Sequence, residues 1–223
     1  SERIKSMTEF RFNTEYIKAN TLDQALIDAA GIELLDSSEI FVREPYHPDY
    51  YGSQYGRLIS TKWGKIKLIN PSIGGQDDCQ YLYYSPDKKT TSVHRIIADI
   101  FCPDFWTNTG KLRKGERLEA HHCDKQNMHN VWWNIVLLPS GLHAAIHRIK
   151  SMKLLKDGKM VEYQNPLEIL LETGLSLEEI IAPEKCKGTK RLKAQGGYTV
   201  YSIKGHVLAY KYYPKKKKAK KNK

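Results

Sequence analysis

Histidines are concentrated in one short segment of the sequence. Five of the eight lie between Glu119 and Arg148. His143 and His147 are four residues apart, so on a helix they share one face, with about 5–6 Å between their Cβ atoms. That spacing suits two ligands of one metal ion, and His121 on a neighbouring strand supplies a third. Three protein ligands with an open position are typical of a catalytic site, because a structural zinc site is usually closed by four.

His122 differs from its neighbour in direction. Successive side chains on a strand point to opposite faces, so His122 does not readily share a metal with His121. An imidazole left beside a metal is a candidate general base, because its ordinary pKa of about 6.5 lies near neutral pH. Asn134, which we place on the second strand, is a candidate to hold the His122 ring in one orientation through its side chain or its backbone.

Each of these residues also has an interpretation without chemistry. A single His-x-x-x-His pair on a helix is common and usually binds no metal, and a His-His pair is a weaker signal still. We expect His94 to be a core or capping histidine, and His129 to be solvated in a polar loop. The combination of His-His, Asn and His-x-x-x-His on strand, strand and helix is improbable by chance, and it favours the metal site.

Three elements must position these side chains. "RLEAHHCD" (residues 117–124) and "VWWNIVLLP" (residues 131–139) are short and apolar enough for strands. "SGLHAAIHRIKSMKLL" (residues 140–155) has helical periodicity, with Ser140 as its N-cap. The predicted order is strand, loop, strand, helix.

The flanking regions predict further elements. "TLDQALIDAAGI" is a helix with Thr21 as a possible cap and Gly31 as its stop. Short strands rich in aromatic or branched residues follow in "GRLIST", "KIKLIN" and "CQYLYYS", and then a helix in "TSVHRIIADIFC". Downstream, two short helices are predicted around Gly174, as a helix-turn-helix or a plain helical hairpin, and a β-hairpin turns at Lys204-Gly205.

Composition and charge narrow the class of protein. The net charge is +11, and seven lysines in the tail "PKKKKAKKNK" contribute much of it. A polyanionic partner is the simplest interpretation, and nucleic acid is the commonest one; a solvated tail that aids solubility is the alternative. The four cysteines form no Cys-x-x-Cys pair. No apolar run approaches the roughly 20 residues that span a bilayer, and we see no signal-peptide pattern, so we expect a soluble intracellular protein.

The segment "AHHCDKQNMHNVWWNI" resembles the motif of HNH nucleases. In this resemblance His122 matches the first His, Asp124 the following Asp, Asn130 a loop Asn and Asn134 the central Asn. The third element of the motif matches His143 and His147. Upstream, "YGSQYGRLISTKWGKIKLI" and "SVHRIIADIFCPD" resemble modules that precede such domains in phage and intron-encoded homing endonucleases, so the resemblance spans about residues 50–150.

The resemblance implies an α+β fold with a ββα-metal core, an upstream antiparallel β-rich module, and C-terminal helical and β-hairpin appendages. The domains expected on this basis are an N-terminal helical or irregular segment (1–49), a β-rich module with a helix (50–105), the HNH core (106–157), a helical pair with a β-hairpin (158–213) and a Lys-rich tail (214–223).

Two departures from the family pattern bear on the metal and the loop. The usual Asp or Asn ligand before the base is His121 here, which is similar to colicin nuclease domains. Imidazole ligands suit zinc, nickel and other transition ions better than magnesium, so the one divalent ion is left open among zinc, magnesium, manganese and nickel. Lys125 stands where the family has a loop Gly, and His129 where it has an Asn, so the turn is expected to differ in shape.

The resemblance implies a metal-dependent endonuclease that hydrolyses DNA, of the free-standing phage homing type, leaving 5′-phosphate and 3′-hydroxyl ends. His122 would be the base, Asn134 its partner, and Arg148, Lys125 and His129 contacts to nucleic acid. The region of Tyr81 to Tyr84, the helical pair and the tail are further candidate DNA contacts. The alternatives are an RNA-cleaving or non-specific nuclease and a non-enzymatic binding module with structural zinc. We expect DNA as partner, no membrane, a monomer as one possible state, and a cytoplasmic location in a phage host, or a nuclear one in a eukaryote.

Overall fold

The computed structural model describes residues 14–76, 79–86, 89–102 and 117–214. The predicted Lys-rich tail, apart from Pro214, lies outside these residues, as does part of the predicted N-terminal segment. The chain divides into two compact units, residues 1–140 and 141–223. Each unit combines antiparallel strands with a few short helices, so the expected α+β class is confirmed. Among the described residues, no helix has the length and apolar character needed to cross a bilayer.

The described part of the first unit begins with two short helices. Helix α1 spans Thr14–Asn20 and helix α2 spans Gln24–Ala29. The cap of α2 is Asp23, whose carboxylate accepts the N–H of Ala25, and the expectation of Thr21 as cap is wrong. The Thr21 hydroxyl instead donates to the carbonyl of Ile17 in α1. Gly31 follows α2 with a φ of 68°, the left-handed conformation that often ends a helix.

Two antiparallel sheets follow, and each predicted strand is present. The four-stranded sheet has the order β1-β2-β3-β4 and the three-stranded sheet the order β5-β6-β7. The apolar face of the first sheet packs on α2 through Phe41, Tyr51 and Ile59. The strands are β1 (Phe41–Arg43), β2 (Tyr50–Ser53), β3 (Leu58–Ser60), β4 (Lys67–Ile69), β5 (Ser72–Gly74), β6 (Tyr81–Tyr84) and β7 (Thr91–Ser92).

Helix α3 (Val93–Phe101) joins these sheets to the histidine hairpin. Its apolar residues recur at helical spacing, and Ile97 and Phe101 on that face have no exposed surface. The helix contacts both strands of the hairpin, β8 (Leu118–His122) and β9 (Ile135–Pro139). The Arg95 guanidinium donates to the carbonyl of Leu118 at 2.7 Å, and this bond ties the helix to the start of β8.

Helix α4 is shorter than the sequence predicts. It spans Ser140–Ile146, and the residues from Ile149 onward form strand β10 (Ile149–Lys156). The predicted continuation of the helix to Leu155 is therefore wrong. The physical reason is tertiary, because β10 is hydrogen-bonded to strands on both sides, and this pairing outweighs the helical spacing of its apolar residues.

The second unit is built on a five-stranded antiparallel sheet of order β11-β10-β14-β13-β12. The predicted hairpin is confirmed, with Lys204 and Gly205 both at positive φ in its turn. The two predicted helices are also present, and Gly174 ends the first of them in the left-handed conformation. The remaining elements are β11 (Lys159–Tyr163), β12 (Lys190–Gln195), β13 (Tyr198–Ile203), β14 (His206–Tyr212), α5 (Pro166–Thr173) and α6 (Leu177–Ile181).

Candidate functional site

Three histidines converge in the continuous strand–strand–helix segment 118–147. The division between the compact units falls one residue into α4, and this helix follows β9 without an intervening loop. One ring nitrogen from each of His121, His143 and His147 lies within 4.8 Å of the other two. We call these residues the histidine cluster. Of the predicted site residues, these are the ones that the fold brings to a common point.

The two helical members of the histidine cluster are in direct contact. The Nε2 atoms of His143 and His147 are 3.0 Å apart. Although α4 ends at Ile146, the His147 N–H still donates to the His143 carbonyl at 3.4 Å, so the last turn preserves the four-residue spacing. His121 is 4% exposed, whereas His147 is exposed. The cluster therefore extends from the core to solvent.

The composition of the histidine cluster fits a transition-metal ion. Zinc binds imidazole nitrogen at about 2.0–2.1 Å with tetrahedral geometry, so two of its ligands are separated by about 3.4 Å. The 3.0 Å between the two Nε2 atoms is close to that separation. The His121 nitrogen lies within 4.8 Å of both, so it needs only a modest shift toward them to complete the ligand set. Three imidazoles are a poorer match for magnesium, which prefers oxygen ligands.

His122 is buried and held by Asn130. It is 3% exposed, and its Nε2 lies 2.9 Å from the Asn130 Oδ1. An amide oxygen only accepts hydrogen bonds, so Nε2 carries the proton and Nδ1 is left as an acceptor. Burial lowers the pKa of His122, and the bond to Asn130 offsets this in part. The ring is therefore uncharged at neutral pH, in one defined tautomer.

Asn130 is itself held in place by the turn between β2 and β3. Gly56 in this turn has a φ of +83°, and a Cβ built on it would lie 2.8 Å from the Asn130 carbonyl oxygen and 2.9 Å from its Cβ. Only glycine tolerates both the backbone conformation and this close approach. The Trp132 N–H also donates to the Gln54 carbonyl at 3.0 Å. The upstream module thus supports the loop that carries Asn130.

Asn134 acts on the loop and not on the His122 ring. It lies in a 3-10 turn (Trp132–Asn134) immediately before β9, and not on the strand as expected. Its Nδ2 donates to the Asp124 carboxylate at 2.8 Å and to the His129 carbonyl at 2.9 Å, and its Oδ1 accepts the Asp124 N–H at 3.0 Å. The expectation that the Asn134 side chain orients His122 is therefore corrected: Asn130 makes that bond, because the 3-10 turn directs the Asn134 amide toward the loop.

Asp124 is the centre of this loop. Burial by itself would raise the pKa of its carboxyl, but hydrogen bonds from His129, the Gln126 N–H and Asn134 lower the pKa below its ordinary value. The His129 Nδ1 lies 2.6 Å from the carboxylate. The loop is therefore braced around one anionic side chain.

The three residues predicted to contact nucleic acid are all exposed. Lys125 has a φ of 63°, the left-handed conformation that glycine adopts most readily. His129 is engaged through Nδ1 with Asp124, and 45% of its side chain remains accessible. Arg148 lies just beyond the histidine cluster, and its carbonyl accepts the N–H of Tyr213.

Sequence reasoning missed two residues next to His122. The ring centroid of His94 is 4.7 Å from that of His122, and the Tyr81 centroid is 5.3 Å from His94 and 6.1 Å from His122. Burial and a hydrogen bond with Cys79 raise the pKa of Tyr81 to about 12, so its hydroxyl stays protonated. Only the packing of α3 and β6 against β8 reveals this cluster of rings.

Comparison with known proteins gives a distant structural likeness. No protein-family model and no curated protein matches the chain. Among solved structures, the chain is similar to one described as "DNA binding and cleavage by the HNH homing endonuclease I-HmuI". The identity is 20%, the match covers 77% of this chain and 97% of that chain, and the TM-score is 0.33. A likeness at this score supports no inference about function. An argument about function must therefore come from the residues of the site.

Proposed function

We propose that this chain is a metal-dependent HNH-type endonuclease that hydrolyses phosphodiester bonds in DNA. The observation that carries the proposal is the histidine cluster together with a buried, singly oriented imidazole at His122, the residue that follows His121 on β8. An open three-ligand metal site combined with a neutral base is an arrangement that supports hydrolysis of a phosphate ester. The basic net charge of +11 supports a polyanionic substrate.

In the proposed reaction the chain supplies a base, an orienting amide and phosphate contacts. His122 accepts a proton at Nδ1 from the attacking water, while Asn130 keeps the other ring nitrogen protonated and the ring in place. Arg148, Lys125 and His129 would contact the DNA backbone, which contributes affinity without sequence choice.

The histidine cluster would hold one divalent ion. Such an ion stabilises the negative charge that develops on phosphate oxygens. His121 is the buried end of the ligand set, and the exposed His147 is the end at which solvent or substrate would enter. Asp124 and Asn134 do not reach the ring of His122, and we assign them to the loop that carries Asn130 and the phosphate contacts.

A competing function is a nucleic-acid-binding module with structural zinc. In the described part of the chain the cluster has three members, whereas a structural site is usually closed by four ligands. Apolar packing of α3 against β8 and β9 also supports the hairpin without a metal. Both observations favour an open, reactive site.

The test is cleavage by wild-type protein and by His122→Ala. Supercoiled plasmid, single-stranded DNA and RNA are incubated with magnesium, manganese, nickel or zinc, and the product ends are mapped. We expect plasmid cleavage that leaves 5′-phosphate ends and falls by about 10²–10⁴-fold in His122→Ala. His47→Ala, purified in parallel, is the matched control, because its ring bonds to Glu44 and not to the site.

Three outcomes would contradict the proposal in different ways. Equal cleavage by His122→Ala and wild type would refute the assignment of His122 as the general base. Cleavage of RNA alone would refute DNA as substrate. Absence of cleavage with every ion, together with unfolding on chelation, would favour the structural-zinc module.

A further inference from the structure

Trp63 is a large aromatic side chain that the fold does not use. It lies in the short 3-10 turn between β3 and β4, and 91% of its surface is exposed. Its φ and ψ are 54° and 33°, the left-handed region that bulky residues rarely adopt. An exposed indole contributes little to folding, and left-handed backbone at residues other than glycine is concentrated at active sites, ligand clamps and switch regions.

Trp63 stands at the rim of a cleft within the first unit. The cleft lies between the four-stranded and three-stranded sheets and has a volume of about 800 Å³. Tyr50 and Tyr84, with ring centroids 5.2 Å apart in an edge-to-face arrangement, form part of its aromatic wall. Asn70 and Ser72, in the β4–β5 connection, add amide and hydroxyl groups. The lining therefore combines ring faces with groups that donate and accept hydrogen bonds.

A cation accompanies the aromatic rings. The Lys62 ammonium lies 5.2 Å from the ring centroid of Tyr50 and 5.9 Å from that of Trp63. Lys65 and Lys67 follow on the same turn and strand, and both are exposed. Among the described residues that line the cleft, none is acidic. A ligand that carries a flat aromatic group and an adjoining anion matches this set.

We propose that the cleft binds one unstacked base of a DNA strand, with Trp63 against the face of the base and Lys62 at an adjoining phosphate. Stacking on an aromatic side chain and a cation at the backbone are the two contacts by which proteins hold single strands. The choice of DNA rests on the proposed function, whereas the chemistry of the cleft requires only a base and a phosphate. The site is separate from the histidine cluster in its residues and its role.

The test is a thermodynamic cycle between protein and strand. A labelled 12-nucleotide deoxythymidine strand and an abasic strand of the same length are titrated in EDTA with wild type and Trp63→Ala, and fluorescence anisotropy is measured. We expect Trp63→Ala to weaken binding of the intact strand by about 5- to 150-fold. The abasic strand should bind both proteins with the same weakened affinity, because it retains phosphates but offers no base to stack.

Two further variants serve as controls. Trp63→Phe keeps a ring face and should recover most of the affinity. Tyr46→Ala removes another exposed aromatic residue, 71% exposed and outside the cleft lining, and should bind as wild type does. Thermal melting of each variant checks that the fold is retained.

The results separate the cleft from the catalytic proposal. Equal binding of the intact strand by wild type and Trp63→Ala, or no preference of wild type for intact over abasic strand, would overturn the cleft inference even if the protein cleaves plasmid. Trp63-dependent binding, with no cleavage in the presence of any of the ions, would support the cleft inference and refute the proposed nuclease activity. Tighter Trp63-dependent binding of a uridine RNA strand would overturn the assignment to DNA.

Discussion

Substitution of Asn130 by Ala is the sharpest test of the site's architecture. The change removes the acceptor that lies 2.9 Å from the Nε2 of His122, in a place where both residues are buried. A buried donor left without a partner costs about 1–3 kcal/mol, so the free energy of unfolding should fall by about that amount. The His122 ring also loses the bond that fixes its tautomer.

The expected effect on catalysis is measured separately from the effect on folding. Loss of an orienting partner typically reduces activity by about 10- to 100-fold, and we expect this loss in single-turnover cleavage at saturating DNA, at a temperature where Asn130→Ala is fully folded. Nitrogen-15 NMR of labelled histidine should show His122 changing from one defined tautomer to a mixture. This measurement remains informative whether or not a cleaving ion has been found.

A conservative variant and a matched control accompany Asn130→Ala. Asn130→Asp keeps an acceptor oxygen and should recover most of the stability and the single tautomer, although its charge also favours a protonated ring and keeps the rate at neutral pH below that of wild type. Asn127→Ala is the matched control in the same loop, because its amide contacts the Cys79 sulfur at 3.8 Å. Wild-type cleavage and unchanged His122 nitrogen signals in Asn130→Ala would refute the reasoning.

The same geometry leads to three other predictions. His143→Ala should abolish tight binding of one cobalt or zinc ion in calorimetry while preserving the circular dichroism spectrum, and undiminished binding would remove His143 from the ligand set. Gly56→Ala should lower the free energy of unfolding by at least the roughly 1–2 kcal/mol typical of a left-handed non-glycine residue, and also slow cleavage by displacing Asn130; a melting temperature equal to that of wild type would contradict the close approach. The folded-state pKa of Asp124 is lowered, so its stabilisation is present above the ordinary value of 3.8 and is lost as pH falls through the lowered value. The stability difference between wild type and Asp124→Asn should therefore shrink in urea unfolding as the pH falls from above 3.8 through the lowered value, and a constant difference would be inconsistent with this role.

Local sequence determined much of the chain's secondary structure. Alternation and turn residues predicted the strands around β3, β4 and β6, and the Lys204-Gly205 turn was predictable because glycine suits positive φ. The apolar periodicity of "TSVHRIIADIFC" predicted α3 in the same local way, since one face of a helix must be buried. Such signals depend on a few neighbouring residues, which the sequence displays directly.

The tertiary structure decided what local signals left open. "RIKSMKLL" has the spacing of a helix but pairs with strands on both sides, so hydrogen bonds to distant residues set its conformation. The roles of Asn130 and Asn134 depend on the 3-10 turn before β9, and the spacing of residues in the sequence does not predict this turn. The rings of His94 and Tyr81 approach His122 only because α3 and β6 pack beside β8.

The sequence by itself determined which residue types were available for metal and proton chemistry. Their four-residue spacing puts His143 and His147 on one face of a helix, and adjacency on a strand directs His121 and His122 to opposite faces. Only the tertiary structure decided that the Asn130 side chain orients the base and that Gly56 allows Asn130 to approach closely. Those choices depend on close contacts between segments about 75 residues apart, such as the approach of Gly56 to Asn130, and such contacts exist only after the chain has folded.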